Sequence, residues 1–542
     1  MKRSLPILCT LLALATYLVS SWHAPLFMDE YSFQRNVAYF AQTKSITPVF
    51  ARYPPLYSYL IAPPIYAAFL VFYALQDLSW SGLRDPSLVK FLFAENLMIW
   101  VWVARVITML FGAALVFGAL RFALRRYSRL GALVTAALLL MDPFGFMSSV
   151  ARYGLPDIPV ACLVTAAVLF CVRALDTGNR RLVLWAAVAA GLAGSMKVNG
   201  LLAVPAVCVA AGFAAPAGRR GRAVLLALLV CAAGFAAGSP SMILSPQAYA
   251  AELQTERGVL IGSGHLGAHG TPWVWIAEQV WRASPVTAML VVLALAHALR
   301  RRTREDWLLL AILIPAILVI GALQKKALWY FVPVYPLVAL CAGRAVQAAW
   351  EKAGTGRERA LAGVMLALVL LLPGLKTVAA LRVSLRPDNT TLARRWIEEH
   401  VPAGAPVLVD WAYVPDLRGE SECRRKVETA RSAGSRFAGE IEKRYRSHPV
   451  YDTGRLADLG YNMAAAQHSR ARWLVTSSGC YQRFLPARLA DLPAPDNPLY
   501  EKFMARRAFY QALFEGKTRF RPTRIFSEGS GPVVWICGTL IP

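Results

Sequence analysis

The segment Leu56–Leu75, LYSYLIAPPIYAAFLVFYAL, decides the topology of the chain. Its length and apolar character suit a helix crossing the ~30 Å hydrocarbon core of a bilayer. Against that, it carries Pro63-Pro64 near its middle and sits among polar stretches. If it spans, every later loop changes sides. Eleven other apolar segments can span, near 4–22, 98–122, 130–148, 157–174, 182–196, 199–216, 223–239, 283–299, 307–323, 328–347 and 360–379. With the N-terminus inside and Leu56–Leu75 lying on or dipping into the outer face, five basic loops fall in the cytoplasm: Arg125-Arg126 to Arg129, Arg180-Arg181, Arg219 to Arg222, Arg300 to Arg304, and Lys352 to Arg359. Counting the segment as a span puts all five outside. The preference for Lys and Arg in short inner loops selects the first arrangement.

Composition agrees with a bilayer as solvent. Of 542 residues 57% are hydrophobic and only 17% charged, with a mean hydropathy of +0.44, against roughly 25% charged in soluble domains. A net charge of +26 would suit nucleic acid if it formed one basic surface. It recurs instead in short clusters between apolar runs, so it reports topology, and no nucleic-acid partner is expected. Met1-Lys2-Arg3 before an apolar run resembles a secretory signal, but His23-Ala24-Pro25-Leu26 offers no clean small-x-small cleavage site. An uncleaved first helix is the better reading. The abundance of Ala, Leu and Arg suggests a bacterial inner membrane.

This topology leaves a long outer loop, about 23–97, containing surface helices, and an outer C-terminal region from about 382 to 542. The expected fold class is therefore an all-α polytopic membrane domain of about eleven spans, 1–381, plus a small C-terminal soluble α/β domain. In the latter, Pro406–Trp411, Trp473–Ser477 and Val533–Cys537 read as strands, and Thr391–His400 and about 499–514 as helices. Asn389 and Thr390 are candidate caps for the first helix, and Asn389-Thr390-Thr391 also matches a glycosylation sequon. Six cysteines lie singly in apolar runs as packing residues; Cys423, Cys480 and Cys537 would allow one disulfide in an oxidising compartment.

Charged residues beside the outer surface form a short set: Asp29, Glu30, Arg52, Arg152, Asp157, Lys197, Lys325 and Lys326. Ionisable groups near membrane depth are costly unless they pair or face water, which makes them functional candidates. Either Asp29 or Glu30 could take a proton from a hydroxyl. Asp157 heads an apolar helix, where it could equally serve as a cap favoured by the helix dipole. Lone lysines at helix ends commonly snorkel, but a site that expels phosphate needs cations beside carboxylates. His265 and His269 have metal-like spacing in a loop too rich in glycine for a helix, and read better as part of a mobile loop. No metal is assigned; a divalent ion is possible chemistry but nothing indicates one, and no other cofactor is implied.

Taken in order, Met28-Asp29-Glu30, Arg52-Tyr53-Pro54-Pro55-Leu56-Tyr57, Arg105, Arg152 with Asp157-Ile158-Pro159, Lys197 with Gly200, and Trp329-Tyr330 with Pro333-Val334-Tyr335-Pro336 resemble the GT-C membrane glycosyltransferases. The branch is that of protein O-mannosyltransferases and the aminoarabinose transferase of lipid A, and the resemblance covers about 1–345. It implies inverting transfer from a polyprenyl-phosphate sugar to a lipid, glycan or protein acceptor, with Asp29 as base and Asp157 as second acid. Arg52, Lys197, Lys325 and Lys326 would bind the donor phosphate, with Arg152, Tyr330 and Tyr335 supporting the substrate. Two departures stand out: Tyr53 intervenes between Arg52 and Pro54, and Trp329-Tyr330 replaces an Arg-Tyr pair. A transporter or flippase of a lipid-linked substrate is the main alternative, expected to carry repeated halves and midplane ionisable residues. A non-catalytic scaffold presenting its outer domain is the other.

Overall fold

The computed structural model describes residues 4–141, 152–263, 272–283, 285–325, 327–354, 356–485, 495, 497 and 499–539. A helix occupies each of the eleven apolar segments. In chain order the helices are α1 (Ser4–Trp22), α2 (Met28–Thr43), α3 (Leu56–Ala74), α4 (Pro86–Glu95), α5 (Leu97–Arg126), α6 (Arg129–Leu140), α7 (Asp157–Thr177), α8 (Arg181–Met196), α9 (Val204–Ala214), α10 (Arg220–Gly238), α11 (Pro240–Leu244), α12 (Pro246–Arg257), α13 (Pro272–Ala283), α14 (Pro285–Arg301), α15 (Arg304–Ala322), α16 (Tyr335–Lys352) and α17 (Gly356–Ser384). Six of the described helices, α1, α3, α5, α7, α10 and α15, are long and apolar enough to cross a membrane. Their outward faces are apolar too, with Ile7, Leu8, Leu11, Leu225, Leu229, Leu318 and Val319 exposed, as lipid-facing surface requires. The chain is a multi-pass membrane protein.

Small residues set the packing of the bundle. Gly191 of α8 and Gly234 of α10 bring the two backbones together: a Cβ at Gly191 would lie 2.2 Å from the Cys231 carbonyl, and one at Gly234 would lie 3.0 Å from that of Val188. In lipid, where apolar burial between helices is nearly neutral, such close approach supplies the attraction.

Helix α3 satisfies the length and hydropathy of a span; one end meets the end of α10 and the other the C-terminal domain. Leu56 packs near Gly238 at the end of α10, and the Tyr59 hydroxyl bonds Ser241 at 2.8 Å. Beyond its other end, Gln76 accepts from Arg444 of the C-terminal domain at 2.8 Å. Its middle leans on the projecting start of α5, where Phe69 and Phe72 each lie 5.5 Å from Trp100.

The C-terminal domain contains α18 (Asn389–His400), β1 (Pro406–Val409), β2 (Arg418–Gly419), α19 (Glu420–Ser432), α20 (Ala438–Tyr445), β3 (Val450–Arg455), α21 (Met463–His468), β4 (Trp473–Ser477), α22 (Ser478–Tyr481), α23 (Tyr500–Phe514), β5 (Phe520–Phe526) and β6 (Val534–Thr539). The sheet order is β2-β3-β1-β4-β6-β5; the first four strands are parallel and β6 runs antiparallel to β4 and β5. Helix α18 begins two residues earlier than expected, and its cap is Asp388, whose carboxylate accepts from the Thr390 and Thr391 amides. Asn389 is buried and tied to Gly529, so the sequon asparagine is not presented. Cys423, Cys480 and Cys537 are buried free thiols, without the disulfide that the sequence allowed.

This domain shares a core with α2, α3, α4 and the start of α5. Phe33, Tyr57, Leu88, Phe91 and Trp100 cluster with Cys423, Val427, Ile441 and Tyr445, and Glu95 bridges Arg418 at 2.7 Å and Lys426 at 3.1 Å. On its other flank Ser530 bonds the His23 carbonyl at 3.2 Å. The sheet domain is thereby fixed over the end of α1.

Candidate functional site

Neighbouring residues on a helix point about 100° apart, and the start of α2 uses that angle to separate two carboxylates. Glu30 turns into the core and is 1% exposed. Its Oε1 accepts from Arg105 Nε at 2.8 Å and the Gly154 amide at 2.6 Å; its Oε2 accepts from Arg105 Nη2 and the Phe27 amide, both at 2.9 Å. Arg105 also donates to the carbonyls of Ser21, Ala24 and Pro25. This pair pins the end of α1, the start of α2, α5 and the turn before α7 to one another. Glu30, expected among the catalytic carboxylates, has both oxygens committed to hydrogen bonds and is sealed from solvent.

Asp29 faces the other way and is partly exposed. Among the described residues its side chain has one hydrogen-bond partner, the Tyr53 hydroxyl at 3.1 Å. Burial, aided by the Asp29 and Asp157 carboxylates, pushes the Tyr53 hydroxyl well above the usual tyrosine range, so it remains a donor to Asp29. Tyr53 stacks on Phe33 of α2 with ring centroids 5.6 Å apart. The residue that interrupts the family pattern thus braces the candidate base, a role that its place in the sequence did not signal.

Lys197 follows α8 in extended conformation and reaches Asp157, the first residue of α7, at 2.6 Å. Both are buried. The Lys197 Nζ also lies 5.4 Å from the Tyr53 ring centre and 5.7 Å from that of Tyr330, where ring quadrupoles stabilise an ammonium removed from water. Asp29, Tyr53, Lys197 and Asp157 therefore form one continuous cluster. Tyr330 borders it, close enough for its hydroxyl to feel Asp29, Asp157, Arg52 and Glu256.

Arg52 and Lys325 meet on a carboxylate that sequence reasoning missed. Glu256, at the end of α12, lies 2.8 Å from Arg52 Nε and 2.9 Å from Lys325 Nζ. Its Oε2 is buried and gains no well-directed hydrogen bond. Only its position in a segment containing few other acids could have drawn attention to it. The backbone amides of Gln324 and Lys325 bond the Leu260 carbonyl, holding the segment after α12 against this pair.

One expected residue is placed elsewhere. Tyr335, expected to support substrate, is buried in the bundle and donates to the Leu138 carbonyl at 2.7 Å; it fastens α16 to α6, because the start of α16 turns inward towards α6. Arg152 places its guanidinium 4.8 Å from the Tyr153 ring centre. Lys326, His265 and His269 lie outside the described residues. Among the described residues, no group of three or more His, Cys, Asp or Glu side chains is arranged to hold a metal.

Residues 88–244 match the family model described as dolichyl-phosphate-mannose-protein mannosyltransferase. The matched part includes Arg105, Arg152, Asp157 and Lys197. No curated protein matches the sequence. Among solved structures, ArnT from Cupriavidus metallidurans bound to undecaprenyl phosphate is similar at 14% identity over 98% of this chain and 97% of that chain, with a TM-score of 0.49. The same values hold for its apo state. An oligosaccharyltransferase from Archaeoglobus fulgidus, in the apo form, is similar at 12% identity over 92% of this chain and 72% of that chain, with a TM-score of 0.49. The chain is similar to GT-C membrane glycosyltransferases of the protein O-mannosyltransferase type, as its ordered motifs imply.

Proposed function

We propose that the protein is an inverting glycosyltransferase that moves a sugar from a polyprenyl-phosphate donor to an acceptor hydroxyl at the outer face of a bacterial inner membrane. The C-terminal domain lies on that outer side. The observation that carries this reading is the pairing of a partly exposed carboxylate, Asp29, with the buried Lys197–Asp157 ion pair beside it. The family match over 88–244 supports the donor class.

In the reaction, Asp29 takes the acceptor proton as the acceptor oxygen attacks the anomeric carbon. The bond between that carbon and the phosphate oxygen breaks, and its electron pair leaves with polyprenyl phosphate. The donor is a monoanionic phosphodiester and the leaving group becomes dianionic, so cations already in place stabilise the product side of the step more than the reactant side. Lys197, Arg52 and Lys325 are those cations. Glu256 bridges the last two and offsets one of their two charges, and the donor phosphate would compete with it for them.

Clustering of the candidate groups at one face disfavours the flippase alternative, which calls for ionisable residues at mid-depth. The test is release of polyprenyl phosphate by purified protein supplied with lipid-linked sugars and a membrane extract as acceptor. Release coupled to sugar transfer is expected; transbilayer movement of the intact donor without release would overturn the proposal.

A further inference from the structure

A cleft of 680 Å³ lies between the membrane domain and the sheet domain, lined by Phe27, Arg152, Tyr153, Tyr413, Gln482 and Arg483 among others. On the sheet side it falls at the carboxyl ends of β1 and β4. These adjacent parallel strands mark the point where the strand order reverses, since the chain passes from β1 to β2 and β3 on one side and later places β4 on the other. Open α/β sheets bind ligands in the crevice at such a point. On the membrane side it borders the turn carrying Asp29, with Phe27 two residues ahead of it.

The lining has a definite chemistry. Among its described residues there are two arginines and no carboxylate. Neither arginine is ion-paired within the described structure: Arg152 lies on the Tyr153 ring, and Arg483 lies 5.4 Å from the Trp411 ring centre. The Arg152 Nε is buried and makes no hydrogen bond. Around these charges stand aromatic faces, with Phe27 5.0 Å from Tyr153 and 6.5 Å from Tyr413. Tyr413 holds a left-handed backbone, φ 52°, which is costly for a bulky residue. Its ring fits because residue 479 is glycine: a Cβ there would come within 2.4 Å of it. Burial pushes the Tyr413 hydroxyl up to about 12, with Tyr153 and Asp29 adding to the shift and Arg483 opposing it, so Tyr413 feels both the candidate base and the cleft arginine.

We infer that this cleft is the acceptor site and that it takes an acidic saccharide, a sugar bearing a phosphate or carboxylate. Its anionic group meets Arg152 and Arg483, and its ring lies against the aromatic faces. The inference rests on the reading of Asp29 as base, since the cleft would deliver the acceptor hydroxyl to that turn. Binding, however, can be measured without turnover.

Full-length protein in nanodiscs is examined by saturation-transfer NMR with four probes: glucuronate, glucose 6-phosphate, glucose and inorganic phosphate. The two acidic sugars are expected to bind, with affinity at least about tenfold above glucose and inorganic phosphate. Arg483→Ala should remove that preference and Arg483→Lys should restore part of it, both with an unchanged melting temperature; Arg152→Ala supplies an independent variant. Equal binding of glucose or of inorganic phosphate, or full retention of the preference in Arg483→Ala and Arg152→Ala, would overturn the assignment. Dodecyl glucuronide distinguishes the source. A large gain over glucuronate assigns a lipid-anchored acceptor and no gain a soluble one, the acidic-sugar site standing in both cases. Arginine-dependent binding in a protein that never releases polyprenyl phosphate would sink the transferase reading and leave the cleft intact.

Discussion

Both ends of the helical bundle carry buried acids and cations, and they are organised in opposite ways. At the end away from the sheet domain, Arg344 reaches Asp306 at 2.8 Å and Arg126 reaches Glu305 at 3.3 Å and Asp176 at 3.2 Å. Asp306 also closes the start of α15 by accepting from the Thr303 amide and hydroxyl, and Tyr127 donates to Glu305. A cavity of 520 Å³ opens among these groups, but Arg126 and Arg344 already face carboxylates. At the other end, among the described residues, Asp29 has a single tyrosine partner and Arg152 and Arg483 face no carboxylate, while Lys197 pairs with Asp157 beside two rings. One end is a clasp that ties α5, α7, α15 and α16. The other leaves Asp29, Arg152 and Arg483 without an ion pair among the described residues. Burial and pairing alone therefore do not single out the candidate site; incomplete satisfaction next to open volume sets it apart from the clasp.

Breaking the Glu30–Arg105 pair should have the largest effect on folding. Arg105→Ala strands a carboxylate that is 1% exposed, and losing one partner of a buried pair costs about 3–5 kcal/mol. Thermal melting in detergent should show a sharply lowered transition, with activity lost in proportion to folded protein. Arg344→Ala, at the clasp, should cost less, about 1.5–3 kcal/mol for charged hydrogen bonds. It should leave turnover per folded molecule nearly unchanged, and a specific loss of turnover there would erase the contrast between the ends. Glu256→Gln should act in the opposite direction at the smallest scale. Freeing Arg52 and Lys325 from a competing carboxylate should tighten polyprenyl phosphate binding about three- to tenfold, near 0.6–1.4 kcal/mol, as measured by ligand titration.

The contrast also explains what could be read from the sequence. Apolar helices, basic loops, the C-terminal sheet region and the position of most charged candidates follow from hydropathy and from charge spacing, which are local properties. Direction is not local. Asp29 and Glu30 are adjacent, and only the contact with Arg105, 75 residues further along the chain, reveals which one is structural. A lone arginine inside an apolar helix calls for a carboxylate, a signal that could have pointed to the pairing. Glu256 and Arg483 were not, because each matters through partners brought together by long-range packing. Tyr53 appeared as a departure from a family pattern, and its hydrogen bond to Asp29 gives the departure a use. Tyr335 failed in the reverse sense: it lies in a motif, while its hydroxyl serves helix packing.

The most direct test of the account is single-turnover release of polyprenyl phosphate by Asp29→Asn with donor already bound. The amide preserves size and the Tyr53 contact but cannot take the acceptor proton, so binding of the donor should be close to wild type. Release should fall by about 10²–10⁴, the range that general-base catalysis supplies. Release at the wild-type rate from the Asp29→Asn protein, with donor bound equally well, would contradict the assignment of Asp29 as the base and with it the claim that the incompletely satisfied end of the bundle is the catalytic one.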